Sequence, residues 1–260
     1  MILEGKTIVI TGTGPGLGGE IARGALRDGA QLLLAARNEE RLAALARELD
    51  PSGKRVAWYA ADITDDAACA RLADVAISRF GGIDGLAQVA ALDSTHGGLF
   101  DADLDEWKRA LEVNVVGPAR VVRVLAPALR NRGGGSIVLI GSQASFLPAA
   151  LPQIGYASSK GGLSRMMVHM AHELGPERIR VNCVVPTWMW GPPVERYVKY
   201  IAKNRGVSEE TIVGEITRNM PLGEIPRDED VAEAVLFLLS DRARMITGQH
   251  LLVNAGEFMP

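Results

Sequence analysis

The chain has 260 residues, a formal net charge of −3 and no long basic run, which argues against nucleic acid as a main partner, since such binding rests on phosphate neutralisation. No stretch is long and apolar enough to span a bilayer, and Met1 to Lys6 lead straight into a strand pattern without a secretory signal. Cys69 and Cys183 lie far apart and the four histidines form no ligand motif, so free buried thiols, a reducing cytoplasm and no metal are expected.

Thr7 to Ile10 is a short β-branched run that reads as a buried parallel strand. It enters Thr11-Gly12-Thr13-Gly14-Pro15-Gly16-Leu17-Gly18, and Ile21, Ala22, Ala25 and Leu26 follow at helical spacing. Strand, Gly-rich turn and helix form the context of a dinucleotide-binding fingerprint. Glycines let the backbone approach a pyrophosphate, and the helix N-terminus offers it free N–H groups. The turn residues Gly12, Gly14, Gly16, Leu17 and Gly18 are therefore candidate cofactor contacts.

Leu32 to Ala36 is the second strand, followed by Arg37. A NAD site normally ends this strand in an acid that bonds the ribose hydroxyls. Here no carboxylate stands to repel a 2′-phosphate, and the guanidinium could bind it. That favours NADP(H) over NAD(H), with stacking on adenine or capping of the next helix as the alternative use of Arg37. A helix over 40–49 turns Leu42, Leu45 and Leu49 inward, and 55–60 is a third strand. Asp62 after it either bonds the adenine amino group or shares the N-cap role with Asp65. Ile63 and Ala90, after the third and fourth strands, are further cofactor candidates. A helix over 66–80 and a strand near 84–89 complete a β-α-β-α-β-α-β rhythm, the pattern of a doubly wound α/β sheet.

A long helical segment over about 104–129 contains Asn114 among apolar neighbours. A buried Asn there needs partners for its amide, either as a bridge between backbone groups or as part of a catalytic network. Ser136 to Ile140 is the fifth strand and ends at Gly141-Ser142, at the strand end where open α/β sheets bind ligands. Ser145 is a nearby competitor. The apolar, Pro-containing stretch 146–154 reads as pocket lining, with Phe146 and Ile154 as substrate candidates.

Tyr156 and Lys160 share one face of a helix whose apolar side carries Leu163, Met166, Met167, Met170, Ala171 and Leu174. A lysine beside a tyrosine favours the phenolate, so the pair suits proton transfer on an alcohol oxygen, and the alternative at this spacing alone is a pair on the helix surface. A sixth strand over 178–185 closes at Pro186-Thr187. The stretch 188–220, opening Trp188-Met189-Trp190, breaks the rhythm and reads as a substrate lid, with a packed surface excursion or oligomer contact as the alternative, and Trp188 and Trp190 are further substrate candidates. A helix over 228–240 and a seventh strand over 246–253 end the fold.

Taken together, Thr11-Gly12-x-x-x-Gly16-x-Gly18, Asp62, Asn114, Ser142, Tyr156-x-x-x-Lys160 and Thr247-Gly248 resemble the short-chain dehydrogenase/reductase (SDR) family over nearly the whole chain. The resemblance implies one Rossmann-type domain with a seven-stranded parallel sheet, hydride transfer between a nicotinamide and an alcohol or carbonyl, and a homotetramer or homodimer. It assigns Asn114, Ser142, Tyr156 and Lys160 to catalysis, and Lys160 also to the nicotinamide ribose. Pro186, Thr187 and Met189 are implied to seat the nicotinamide. Departures lie at Gln88-Val89-Ala90-Ala91 after the fourth strand, at Pro186-Thr187 after the sixth and near Gly191. The expected activity is NAD(P)-dependent interconversion of a secondary alcohol and a ketone or aldehyde on a largely apolar substrate. Alternatives are a 3-oxoacyl thioester reductase, a nucleotide-sugar epimerase or dehydratase, which usually needs a larger C-terminal domain, and a non-catalytic dinucleotide-binding regulator.

Overall fold

In a computed structural model that describes residues 1–148 and 151–260, successive strand residues point to opposite faces of one sheet. Strand β1 (Thr7–Thr11) sends Ile8 and Ile10 to one side and Val9 to the other, and all are fully buried. A strand buried on both faces needs helices on both, and the remaining elements supply them. The other strands are β2 (Gln31–Ala36), β3 (Val56–Ala60), β4 (Gly85–Gln88), β5 (Gly135–Ile140), β6 (Ile179–Pro186) and β7 (His250–Val253). All pairings are parallel and the spatial order is β3-β2-β1-β4-β5-β6-β7. The order reverses between β1 and β4, the switch point where α/β sheets open a crevice at their strand C-termini.

Helices α1 (Leu17–Arg27) and α2 (Glu39–Leu49) cover one face, together with α9 (Asp228–Leu239). The other face carries α3 (Asp66–Phe80), α5 (Gly117–Asn131) and α6 (Ile154–Leu174). Each buried Leu, Ile or Val in these layers contributes about 1.5–3 kcal/mol relative to exposure. Leu42 is buried in its layer, and Leu45 and Leu49 pack against it, matching the sequence pattern. On α6 the core side is Leu163, Met167 and Ala171, flanked by Met166, Met170 and Leu174. Local signals fix the helix ends. Asp65 accepts the Ala67 and Ala68 N–H groups at the start of α3, and Gly81 stops it in a left-handed conformation.

Two segments differ from the sequence expectation. The long helix is α4 (Leu104–Leu111), then a π-helical turn Glu112–Val116, then α5. The π turn carries Asn114, whose side chain is drawn inward by partners described below. The last strand starts at His250, because Thr247 and Gly248 form a turn bonded to Val181. Between β6 and α9 the chain folds into α7 (Pro192–Arg205) and α8 (Glu209–Thr217), with their own small core of Val198, Ala202 and Ile212. Both cysteines are free and buried, and His169 and His172 are exposed on α6. No described helix is long and apolar enough to cross a membrane.

Candidate active site

The crevice lies at the C-terminal ends of β1, β4, β5 and β6, and two adjoining cavities fill it. The first, of about 560 Å³, runs from Gly12 and Thr13 past Ala36, Arg37, Asp62 and Ile63 to Ala90, Lys160, Pro186 and Met189. The second, of about 590 Å³, is bounded by Gly16, Leu147, Leu151, Trp188, Pro193 and Val194. Leu17, Ser142, Tyr156, Thr187 and Met189 line both.

Close packing shapes the Gly-rich turn. Gly12 has φ 72°, and a β-carbon on it would sit 2.3 Å from the Ala90 nitrogen. One on Gly18 would sit 2.5 Å from the Gly12 carbonyl oxygen, so α1 starts directly against the turn. Gly14 has open space around it and lines neither cavity. Thr13 donates to the Ile10 carbonyl at 2.9 Å and fixes the bend. The bare backbone before the α1 N-terminus suits a pyrophosphate, and the first cavity is lined by this turn and by Arg37.

At the far end, Asn38 rather than Arg37 caps α2, accepting the Arg41 N–H at 2.9 Å. Arg37 is exposed and lines the cavity, so the capping alternative does not hold for it. Asp62 accepts both the N–H and the hydroxyl of Thr64, at 2.9 and 2.7 Å. The Thr64 bonds, with the Arg37 and Arg109 charges, hold its carboxyl below the usual range.

Around Tyr156 the side chains interlock. Asn114 is fully buried and donates to the Leu92 carbonyl at 2.8 Å and the Ser159 hydroxyl at 2.9 Å, while its oxygen accepts the Leu92 N–H at 2.7 Å. It thus ties the chain after β4 to α6, so its side chain takes the bridging role. Ser142 accepts the Ala144 N–H at 3.2 Å, and its hydroxyl lies close enough to the Tyr156 phenol to favour the ionised form. Its competitor Ser145 donates to the Ser142 carbonyl and lines neither cavity. The Lys160 ammonium donates to the Ile140 carbonyl at 2.7 Å and lies 5.7 Å from the Tyr156 ring centroid.

The expected lowering of the Tyr156 pKa by Lys160 is not what this arrangement gives. Burial pushes Tyr156 up to about 12, partly opposed by the Ser142 hydroxyl and reinforced by Asp93. Burial likewise lowers Lys160 to about 8. Desolvation dominates both shifts, because both charged forms leave water.

Three substrate candidates lie elsewhere. Phe146 stacks on Phe258 with centroids 5.7 Å apart and meets the His250 ring edge-on at 5.6 Å. Trp190 packs on the Val198 cluster, and its backbone N–H donates to the Pro226 carbonyl at 2.7 Å. Ile154 opens α6 and lines neither cavity. Only Trp188 reaches the second cavity, its indole 5.3 Å from the Tyr197 ring. Of the stretch 146–154, Ala149 and Ala150 lie outside the described residues, whereas Leu147, Pro148, Leu151 and Gln153 line the cavity.

Sequence reasoning missed several lining groups. Asp93 borders both cavities, Asp228 and Glu257 the second, and Arg109 and Glu112 the first. Glu257 accepts from Gln143 at 2.8 Å and from the Thr187 hydroxyl, and Asn254 donates to Gln143 at 2.8 Å. No local motif signals this network, because the tail is far from β5 and β6 in sequence.

Fold and crevice define a dinucleotide-binding α/β domain of Rossmann type. A family model described as Enoyl-(Acyl carrier protein) reductase matches residues 12–257. The chain is 32% identical to the 7alpha-hydroxysteroid dehydrogenase of Escherichia coli (strain K12) over 257 residues, covering 98% of this chain and 94% of that one. It is 31% identical to Dehydrogenase/reductase SDR family member 4 of Homo sapiens over 255 residues, covering 98% and 88%. The crystal structure of Levodione Reductase superposes with a TM-score of 0.88 at 26% identity, covering 98% of both chains. The chain belongs to the short-chain dehydrogenase/reductase family, oxidoreductases that act on CH–OH groups with a nicotinamide dinucleotide.

Proposed function

We propose that this enzyme interconverts a largely apolar secondary alcohol and its ketone, with Tyr156 as the acid/base. The observation that carries the reading is the position of Tyr156 and Ser142 on the lining of both cavities, where a cofactor and a substrate would meet. A nicotinamide dinucleotide, when bound, supplies or accepts the hydride. In reduction the Tyr156 phenol gives its proton to the carbonyl oxygen; in oxidation its phenolate takes the alcohol proton. The Ser142 hydroxyl donates to that same oxygen and holds it toward the phenol. Lys160 places a positive charge beside the phenolate as it forms and would hold the nicotinamide ribose. Asn114 acts through the backbone it bridges, fixing α6 against the Leu92 segment, and is proposed to support a proton-relay water to Lys160.

The dinucleotide would lie along Gly12, Gly16, Leu17, Asp62, Ile63 and Ala90, with Pro186, Thr187 and Met189 seating the nicotinamide. Exposed Arg37 and neighbouring Arg109, with no acid after Ala36, support NADP(H) over NAD(H). Arg37→Ala is expected to weaken NADPH binding about tenfold and leave NADH binding unchanged. Equal turnover of the wild type with NADH would overturn the preference.

Leu147, Leu151, Trp188, Pro193 and Val194 support an apolar substrate, and relatives named for a hydroxysteroid and for levodione support a cyclic one. Helices α7 and α8 are proposed as the lid over it. The family-model description favours a second reading, an acyl-thioester reductase. Against it, Asp93, Asp228 and Glu257 line the substrate side without a described lysine or arginine. NADPH oxidation with cyclic ketones and with acetoacetyl-CoA decides between them. Tyr156→Phe is expected to lower turnover by about 10²–10⁴-fold with either class, and full activity in that variant would sink the mechanism.

Exposed Leu99, Phe100 and Leu104 support a homo-oligomer, a dimer or tetramer, which light scattering measures directly. Two unpaired buried cysteines support the cytoplasm as its place of work.

A further inference from the structure

Asp228 is a buried acid that the proposed chemistry leaves unused. It opens α9 and is only 9% exposed, yet its carboxyl lines the substrate-side cavity. Among the described residues no hydrogen-bond donor meets it. Two glycines crowd it: a β-carbon on Gly191 would lie 2.6 Å from Oδ2, and one on Gly16 would lie 3.5 Å away. Gly16 is the N-cap of α1, where the turn offers free N–H groups to a phosphate. Helix α9 packs along α1, with Leu236 against Gly24, so the Asp228 carboxyl and a pyrophosphate would share one small space.

The surrounding charges do not neutralise it. Glu20 on α1 pairs with Arg23, Glu229 is the next residue along, and Asp230 accepts the Arg227 N–H. Across the cavity stand Asp93 and Glu257, and the Trp190–Gly191 segment brings no charge. Burial, then Glu229 and Glu20, push the carboxyl up to about 6.

Resting on the cofactor reading above, we infer that Asp228 makes dinucleotide binding proton-linked. The neutral carboxyl donates a hydrogen bond to the phosphate bridge, and the ionised carboxylate repels it. Binding then takes up a proton near neutral pH and weakens as pH rises. The pyrophosphate carries no titration of its own across this range, so the dependence belongs to the protein.

The test is calorimetric titration of NADP⁺ into wild type and Asp228→Asn from about pH 5 to about pH 8, in buffers of differing ionisation enthalpy. Comparing the two proteins removes the titration of the 2′-phosphate. Asn is nearly isosteric with Asp and keeps a donor, so the variant mimics the neutral acid. The ratio of wild-type to variant Kd is expected to be near one at the acid end and to rise about tenfold by the alkaline end. Wild type should take up a proton on binding near neutral pH, and the variant should take up less. Tight binding with a pH-independent ratio and equal proton uptake would overturn the inference alone. No binding by a folded wild type at any pH would overturn the cofactor reading and the inference with it.

Discussion

With Tyr156 pushed up to about 12, the group at neutral pH is the phenol, which is the form that protonates a ketone oxygen. Oxidation needs the phenolate, and its fraction rises tenfold per pH unit below the pKa. Initial rates of alcohol oxidation should therefore climb between about pH 7 and about pH 9, while ketone reduction stays level over the lower part of that range. A flat oxidation profile would show that another group takes the proton. Asn114 carries a different expectation. Asn114→Ala leaves the Leu92 N–H and carbonyl without partners inside the protein, a cost of about 1–3 kcal/mol for each orphaned group. Thermal unfolding should move down, and, on the proposed cofactor placement, dinucleotide affinity should fall with it because Leu92 lines the first cavity.

Among elements, the join between β1 and α1 is closely packed. A β-carbon on Gly18 meets the Gly12 carbonyl at 2.5 Å, and that oxygen belongs to backbone that cannot rotate away. Gly18→Ala should drive α1 off the turn, cost about 1–3 kcal/mol and weaken dinucleotide binding at least about tenfold. Gly14→Ala meets nothing within 4 Å and should stay within about 0.5 kcal/mol of wild type, with binding retained. Paired chemical denaturation and cofactor titration of the two variants read both effects. Equal losses in the two would mean that the turn is merely flexible and that its packing decides nothing. The spacing of glycines makes this join legible in the sequence, but it does not say which glycine faces ligand and which faces helix.

At the scale of the whole molecule, the C-terminal tail crosses back to the site. Glu257 holds Thr187 and Gln143, and Asn254 holds Gln143 and the Phe258 carbonyl. Removing residues 254–260 should leave the sheet folded, since β7 ends at Val253, and should raise KM for cofactor more than it lowers melting temperature. Unchanged KM in a folded truncation would remove the tail from the seating of the nicotinamide. Folding stability also feels the buried lysine. Lys160 titrates near 8 in the fold against 10.5 when free, so the unfolded chain binds more protons between those values and stability rises with pH across them. Lys160→Met should lack that rise in urea unfolding, although Tyr156, raised rather than lowered, opposes it above about pH 10.

Periodicity and turn chemistry by themselves determined the layer pattern. Thr7 to Thr11, Gly12 to Gly18, and the helix bearing Tyr156 and Lys160 each announce their structure within a few residues, because local backbone preference and side-chain period act over that range. Tertiary structure alone decided what each polar group faces. Phe146 and Trp190 look like pocket aromatics in sequence, yet they pack against Phe258 and the Val198 cluster. Asp93, Asp228 and Glu257 carry no motif, yet the fold brings them to one cavity. The sign of the pKa shifts at Tyr156 and Lys160 was equally beyond the sequence. Four-residue spacing puts the pair side by side, but desolvation depends on everything that closes over them, and burial of that kind is a property of the assembled chain.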